Sequence, residues 1–387
     1  MTRLTLLDAE GRTSETALAP APAFSRPMLP LQSRVVYAAA HVIPKAWAEN
    51  VPGAPAEIDW DATLAFRQHV WSWGLGVADA MDTAQRNMGL DAAATRELIS
   101  RSAAESRSAG GALVVGVSTD HVADDFISVD AVIDAYVEQL QFAEDAGAGV
   151  VLMASRHLAR AAESAADYER VYREVLARAG SPVILHWLGA AFDPNLDGYF
   201  GSNDVPTASD TVLRIMTENA DKVAGIKMSL LDAQAEIALR ARLAETATLY
   251  TGDDFNYVGL IAGDSGGQYS DALLGAFSAI APNASAAIQA LDAGAPEEFL
   301  RILGPTEALS RQIFATPTFY YKTGVAFMSW LNGHQQAFSM IGGLHSARSL
   351  PHLSEIVRLA NESGALERPE LAAARWNALL AQNGIGA

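Results

Sequence analysis

Lys227 stands near the end of a short apolar run, Val223–Met228 (VAGIKM), directly behind Gly225 and Ile226. A lysine in a strand buried on both faces is costly to ionise, and desolvation lowers its pKa. The neutral amine is then a nucleophile toward carbonyl carbon. The same position also suits a lysine that snorkels to the surface, or a buried ion pair. His186 ends another run, PVILH, and its ordinary pKa of ~6.5 suits proton transfer at neutral pH. It equally suits a structural hydrogen bond to a carbonyl. His41, His121 and His157 also fall near the ends of apolar runs, and three histidines with carboxylates around one mouth could hold a divalent metal. No H-x-H or H-x-x-x-H spacing makes that reading specific. Asp82 and Thr83 follow a further run, and Asp253–Asp254 follow another, where at least one of the pair suits helix N-capping. The loop Gly263–Gln268 (GDSGGQ) offers Gly266 and Gly267 for close approach of a ligand or for a tight turn.

These residues need elements that bring them to one place. Eight short apolar runs recur after residue 32: Arg34–Ala40, Gly76–Asp82, Ala112–Ser118, Gly149–Ala154, Pro182–His186, Val223–Met228, Thr248–Gly252 and Val258–Ala262. Continuous apolar runs suit strands covered on both faces, as in a parallel sheet. Helical patterns lie between them, as in Ser128–Ala146, Tyr168–Ala179 and Ser209–Ala220, with Ser209 as a cap and Asp210 at the positive helix end. This alternation predicts an α/β fold, a (β/α)8 TIM barrel, over residues 33–295. In that fold, reactive groups sit at the carboxyl ends of strands, where Lys227, His186, Asp82, Thr83 and Asp253 fall. Residues 1–32, punctuated by Pro20, Pro22, Pro27 and Pro30, read as an irregular arm. Residues 188–207 read as an insertion at the barrel mouth, and residues 296–387 as a C-terminal helical extension.

Composition narrows the function. Half of the 387 residues are apolar and 19% are charged, which excludes intrinsic disorder. A net charge of −18 makes nucleic acid a poor partner. The absence of cysteine excludes disulfides, zinc–thiolate sites and a cysteine nucleophile. No apolar run is long enough to span a bilayer, and residues 1–30 lack a signal pattern, so a soluble cytoplasmic protein without membrane partners is expected. No G-x-G-x-x-G follows the first run and no G-x-x-x-x-G-K-[ST] occurs, so nucleotide cofactors have no warrant.

The order PVILHW, VAGIKM, LYTGDD and then GDSGG resembles the dihydrodipicolinate synthase / N-acetylneuraminate lyase family of class I, Schiff-base aldolases. The resemblance spans about residues 33–365, includes TPTFYYKTGVAFMSWLNG, and marks a divergent branch. It implies that Lys227, within G-I-K, forms a Schiff base with a carbonyl substrate, a 2-oxo acid or keto-sugar, for C–C cleavage or formation or for dehydration. It implies a proton relay at His186, where the family has tyrosine, and no metal or organic cofactor. It also implies a homodimer or homotetramer, for which the aromatic segment Phe319–Trp330 could serve as interface, although core packing suits most of it.

The family's G-T-T-G-E carboxylate loop is replaced by Asp82-Thr83-Ala84-Gln85-Arg86, where only Thr83 keeps a hydroxyl. Its tyrosine-rich motif after the fourth strand is replaced by Ser155, Arg156 and His157. Arg86 or Arg156 could bind an anion by a different geometry. Alternatively the substrate lacks the adjacent carboxylate, and the polar insertion recognises hydroxyls. Two rivals stand beside this reading: a metal-dependent sugar isomerase or lyase on the same barrel, and a non-catalytic binding barrel.

Overall fold

The computed structural model describes residues 3–244 and 247–385. The expected ends of the arm and of the helical extension, residues 1–2 and 386–387, lie outside the described residues. The arm is not irregular throughout. Strands β1 (Arg3–Leu7) and β2 (Thr13–Ala17) pair antiparallel, with Leu4 opposite Thr16. Leu4 and Leu7 are buried, and the Leu7 N–H donates to Ser354 Oγ at 2.7 Å. The Trp376 indole donates to the Thr5 carbonyl at 2.6 Å. The hairpin therefore docks on the C-terminal helices Leu350–Glu362 and Pro369–Gln382. Its second strand, TSETA, is almost wholly polar, so it carries no apolar alternation for a sequence reading to find.

Eight parallel strands close a barrel: β3 (Val36–Ala39), β4 (Gly76–Asp79), β5 (Leu113–Val117), β6 (Gly149–Leu152), β7 (Val183–Leu188), β8 (Val223–Ser229), β9 (Thr248–Thr251) and β10 (Asp271–Leu274). Strand β10 pairs with both β9 and β3, which completes the ring. This is the (β/α)8 barrel expected, with a helical C-terminal part. Ala39, Ala78, Met81, Val114, Val151, Met153, Ile184, Tyr250 and Leu273 fill the interior. The larger apolar cluster lies between the strands and the outer helices.

Seven of the eight apolar runs lie on strands, and the eighth does not. Val258–Ala262 is part of a helix, Tyr257–Ala262, and the eighth strand is Asp271–Leu274 (DALL). A five-residue apolar run fits a buried helix turn as well as a strand, and periodicity alone cannot separate them. The consequence is large. The loop Gly263–Gln268 now precedes β10 and sits at the amino-terminal end of the barrel. The Arg34 guanidinium, just before β3, lies 3.5 Å from the Tyr269 ring centroid there. Gly266 and Gly267 are thus at the opposite end from Lys227. Gly267, at φ 82°, serves a turn closed by the Gly267 N–H donating to the Asp264 carbonyl at 3.0 Å.

The helix after the mouth segment starts earlier than expected, at Val205–Glu218. Asp204 caps it by accepting from the Thr207 N–H at 3.0 Å, with Pro206 in its first turn. Ser209 is therefore inside the helix, and its hydroxyl donates back to the Val205 carbonyl at 2.8 Å. Beyond the barrel, Tyr321–Leu331 is almost fully buried within the chain, so core packing occupies most of the segment Phe319–Trp330.

Candidate active site

Side chains alternate along β8, so Lys227 and Ser229 share one face with Gly225. In register, Lys227 lies beside His186 of β7 and Tyr250 of β9. Gly252, after β9, makes room for the lysine: a Cβ there would stand 2.8 Å from Lys227 Cε and 2.1 Å from Ser229 Oγ. Lys227 opens into a cavity at the carboxyl ends of the strands, lined also by Met81, Asp82, Thr83, Leu188, Phe192, Ser229, Asp254, Gly275 and Tyr321. Its free space is about 10 Å³, roughly one water.

Burial lowers the Lys227 pKa, against the opposing charges of Asp254 and Asp82. Burial pushes Asp254 up to about 7, against the Ala276 N–H, which donates to it at 2.8 Å, and against the Lys227 charge. Amine and carboxyl therefore approach each other in proton affinity. The neighbouring Asp253 does not take part. Its oxygens accept from the Phe255 and Asn256 N–H groups at 2.9 and 3.1 Å and from the Asn256 side chain at 2.9 Å. It is a turn residue, and Asp254 is the member of the pair that faces the lysine.

His186 is fully buried and set back from the cavity. Its Nε2 lies 3.3 Å from Ser229 Oγ, and Ser229 lines the cavity in its place. Burial, and then the Lys227 charge, push its pKa well below 6.5, so the ring is neutral. Among the described residues its Nδ1 has no hydrogen-bond partner.

The turn after β4 is held by a buried ion pair. Arg67 donates to both Asp79 oxygens at 3.0 and 2.8 Å, and Ser102 donates to the same carboxylate at 2.6 Å. Asp79 also accepts the N–H of Ala80, which is forced to φ 49°. A left-handed alanine costs ~1–2 kcal/mol, and this one aims Asp82 and Thr83 into the cavity. Thr83 Oγ1 is 2.8 Å from the Tyr321 hydroxyl, whose pKa is raised well above its ordinary value by burial and then by Asp82. The Tyr321 ring stacks on Phe314 at 4.4 Å and meets the edge of Phe192 at 5.8 Å.

The two arginines differ as anion clamps: Arg86 is fully engaged, and Arg156 is engaged through its Nε. Arg86 is buried with its whole guanidinium engaged, by the Asp120 carboxylate, the Ala80 and Gly116 carbonyls and Gln139 Oε1. It ties the ends of β4 and β5 together. Arg156 reaches the mouth, but its Nε donates to Asp193 at 2.6 Å, beside the cavity-lining Phe192. The three histidines do not converge either. His41 Nε2 contacts Gln335 at 3.2 Å, His121 contacts Gln139 at 2.8 Å, and His157 contacts Thr119 and the Asp124 carbonyl at 2.7 and 2.8 Å.

Sequence reasoning missed Ser229, Tyr321 and Lys322. Ser229 was open to discovery, being two residues beyond Lys227 on the same strand face. Tyr321 and Lys322 come from the C-terminal extension, and nothing in their local pattern points to the mouth. Lys322 is buried, with Nζ 4.4 Å from the Tyr321 ring centroid and 3.4 Å from the Phe319 carbonyl. Burial pushes it down to about 8, against the charges of Asp82 and Asp193.

Solved structures share this architecture. A dihydrodipicolinate synthase from Oceanobacillus iheyensis superposes with a TM-score of 0.63 at 14% identity, covering 85% of this chain and 96% of that one. The enzyme from Thermotoga maritima gives 0.63 at 14% identity, over 87% and 100%. The 4-hydroxy-tetrahydrodipicolinate synthase from Methylacidiphilum fumariolicum SolV gives 0.64 at 16% identity, over 89% and 99%. At these identities the likeness is one of fold. A search of curated proteins found no match. The model of a family described as a protein of unknown function, DUF993, matches residues 4–385, and the chain belongs to that family.

Proposed function

We propose that the protein is a class I lyase or aldolase in which Lys227 forms a Schiff base with a small carbonyl substrate, a 2-oxo acid or a keto-sugar. The observation that carries this reading is the buried Lys227 amine facing Asp254 in a closed polar cavity at the barrel mouth. The neutral amine attacks the carbonyl carbon, and the carbonyl oxygen takes up a proton to give a carbinolamine. Asp254, with a pKa near neutrality, supplies the proton on which that hydroxyl leaves as water. The protonated imine then accepts the electron pair released by C–C cleavage or by loss of a proton next to it. Reversal of that step makes the bond, and water returns the free lysine.

Thr83 and Tyr321 hold a substrate oxygen through their paired hydroxyls, and Ser229 relays a proton backed by the neutral His186. Asp82 lies on the same wall and accepts from a substrate hydroxyl. The cavity holds about one water, so a substrate enters only when Phe192 and Tyr321 move apart. Their closure then keeps solvent from the imine. The synthases of like fold support a lyase assignment at the level of architecture. The metal-dependent alternative draws no support from His41, His121 and His157, which point to separate partners.

Imine formation expels the carbonyl oxygen as water, which gives a direct test. In ¹⁸O-labelled water the protein should accelerate oxygen exchange into pyruvate or a keto-sugar. Lys227→Ala should return the exchange to the buffer rate. Equal exchange by wild type and variant would remove the Schiff base from the account.

A further inference from the structure

Three segments far apart in sequence bring nitrogen and oxygen ligands together on the outside of the barrel. His69 lies in the last turn of the helix Trp60–Ser72, and His334 in the turn after Tyr321–Leu331. Glu367 lies in the link between Leu350–Glu362 and Pro369–Gln382. One ligand atom from each lies within 4.8 Å of the others. His334 Nε2 is 2.7 Å from Glu367 Oε1, and His69 Nε2 is 3.5 Å from the same oxygen. The two imidazole rings stand 4.2 Å apart, centroid to centroid. We propose that His69, His334 and Glu367 form a divalent-metal site, with zinc as its ligand, which clips the C-terminal extension to the first barrel helix.

Without an ion, His334 makes a good hydrogen bond to Glu367 and His69 does not. Both Nε2 atoms aim at one carboxylate oxygen, and 3.5 Å is too long for a good N–H···O bond. An ion would replace both protons with lone-pair donation from neutral rings to one centre. Zinc binds imidazole nitrogen and carboxylate oxygen at roughly 2.0–2.2 Å, which places tetrahedral ligand atoms about 3.3 Å apart. The side chains need shift only slightly to reach that spacing. Two histidines and one carboxylate, without sulfur, suit zinc, and also cobalt and nickel, with water in the fourth position.

The scaffold is held in place before any ion binds. Asn332 Oδ1 accepts the Glu367 N–H at 3.0 Å, and Asn332 Nδ2 donates to the Ala365 carbonyl at 3.0 Å. The His334 N–H donates to the Ser329 carbonyl at 2.9 Å. Phe66 packs against both rings, 6.1 Å from His69 and 5.4 Å from His334. The ligand side chains keep 15–23% exposure, which leaves an entry for the ion. The clip would fasten the segment that carries Tyr321 and Lys322, so it acts on the mouth through position, without touching substrate.

The test uses untagged full-length protein, stripped with a chelator and dialysed. Zinc titrated by calorimetry should bind at one ion per chain and raise the melting temperature. His334→Ala and Glu367→Gln should each weaken zinc at least tenfold, with circular dichroism reporting whether each variant folds. Cobalt added to the wild type gives a readout free of folding effects: tetrahedral d–d absorption that zinc displaces. Weak, substoichiometric binding, or binding equal in folded variants, would overturn the site and leave a hydrogen-bonded His–Glu–His cluster only. No cobalt band and no change in melting on stripping or adding zinc would overturn it as well.

Discussion

At the scale of single residues, the proposed chemistry rests on the proton affinities of Lys227 and Asp254. Burial lowers the amine, and the Asp254 carboxylate works against that lowering. Asp254→Asn removes the supporting negative charge, so the amine of the variant should lose its proton at a still lower pH. The pH profile of Lys227 modification by a limiting amine-reactive reagent should therefore shift downward in Asp254→Asn. Exchange or turnover should fall by about 10²-fold or more, because the acid for dehydration is gone. An upward shift would mean that the two groups do not face each other electrostatically. Lys322 gives a second test. Its buried amine lies beside the mouth near Asp82 and Asp193, so it should favour probes that carry an anion. Lys322→Met should raise the half-saturating concentration for pyruvate in ¹⁸O exchange about tenfold and leave that for dihydroxyacetone unchanged. Lys227 was legible in the sequence because a lysine inside an apolar run is costly in any fold. Asp254 was legible only as one of a pair. Backbone geometry had to decide which member caps a turn and which faces the amine. Lys322 and Arg86 were not legible: one arrives from the C-terminal extension, and the other is consumed by Asp120, Ala80, Gly116 and Gln139.

At the scale of elements, the strands position the site and their flanks set its cost. The Arg67–Asp79 pair is fully buried and pins the turn that carries Asp82 and Thr83. Asp79→Ala should destabilise the chain by about 3–5 kcal/mol in denaturant unfolding, because it leaves Arg67 charged and unpaired. A loss under 1 kcal/mol would show that the turn is held by other contacts. On the helix Ala233–Arg240, Glu236 accepts from Thr251 Oγ1 at 3.0 Å and Ser270 Oγ at 2.7 Å. Burial pushes it up to about 8, so the folded chain holds a proton that the unfolded chain loses near 4.5. The sign follows: stability from this group is full below pH 4.5 and falls as pH rises toward 8. Glu236→Gln should therefore gain stability relative to wild type as pH rises from 5 to 8, read from denaturant midpoints. A constant difference across that range would contradict it. The first seven barrel strands, β3–β9, were legible because continuous Val, Ile, Leu and Ala runs fit a sheet covered on both faces. The eighth was not, because DALL opens on a charge while the helix Tyr257–Ala262 supplies the apolar run. That one exchange moved Gly266 and Gly267 from the mouth to the far end of the barrel.

At the scale of the whole molecule, the C-terminal extension completes the barrel. It seals the mouth with Tyr321 and receives the β1–β2 hairpin on its last two helices. No helix of the described residues is long and apolar enough to cross a membrane. The formal charge is −18, and the candidate site sets the buried Lys227 and Lys322 against Asp82, Asp254 and Asp193. The proposed mechanism requires that Lys227 become covalently attached to substrate. The direct measurement is sodium borohydride reduction in the presence of pyruvate, other 2-oxo acids and keto-sugars, followed by intact mass and peptide mapping. The account expects one reduced adduct per chain on Lys227, absent in Lys227→Ala. No adduct with any carbonyl compound that the protein turns over, or an adduct on another lysine only, would contradict it.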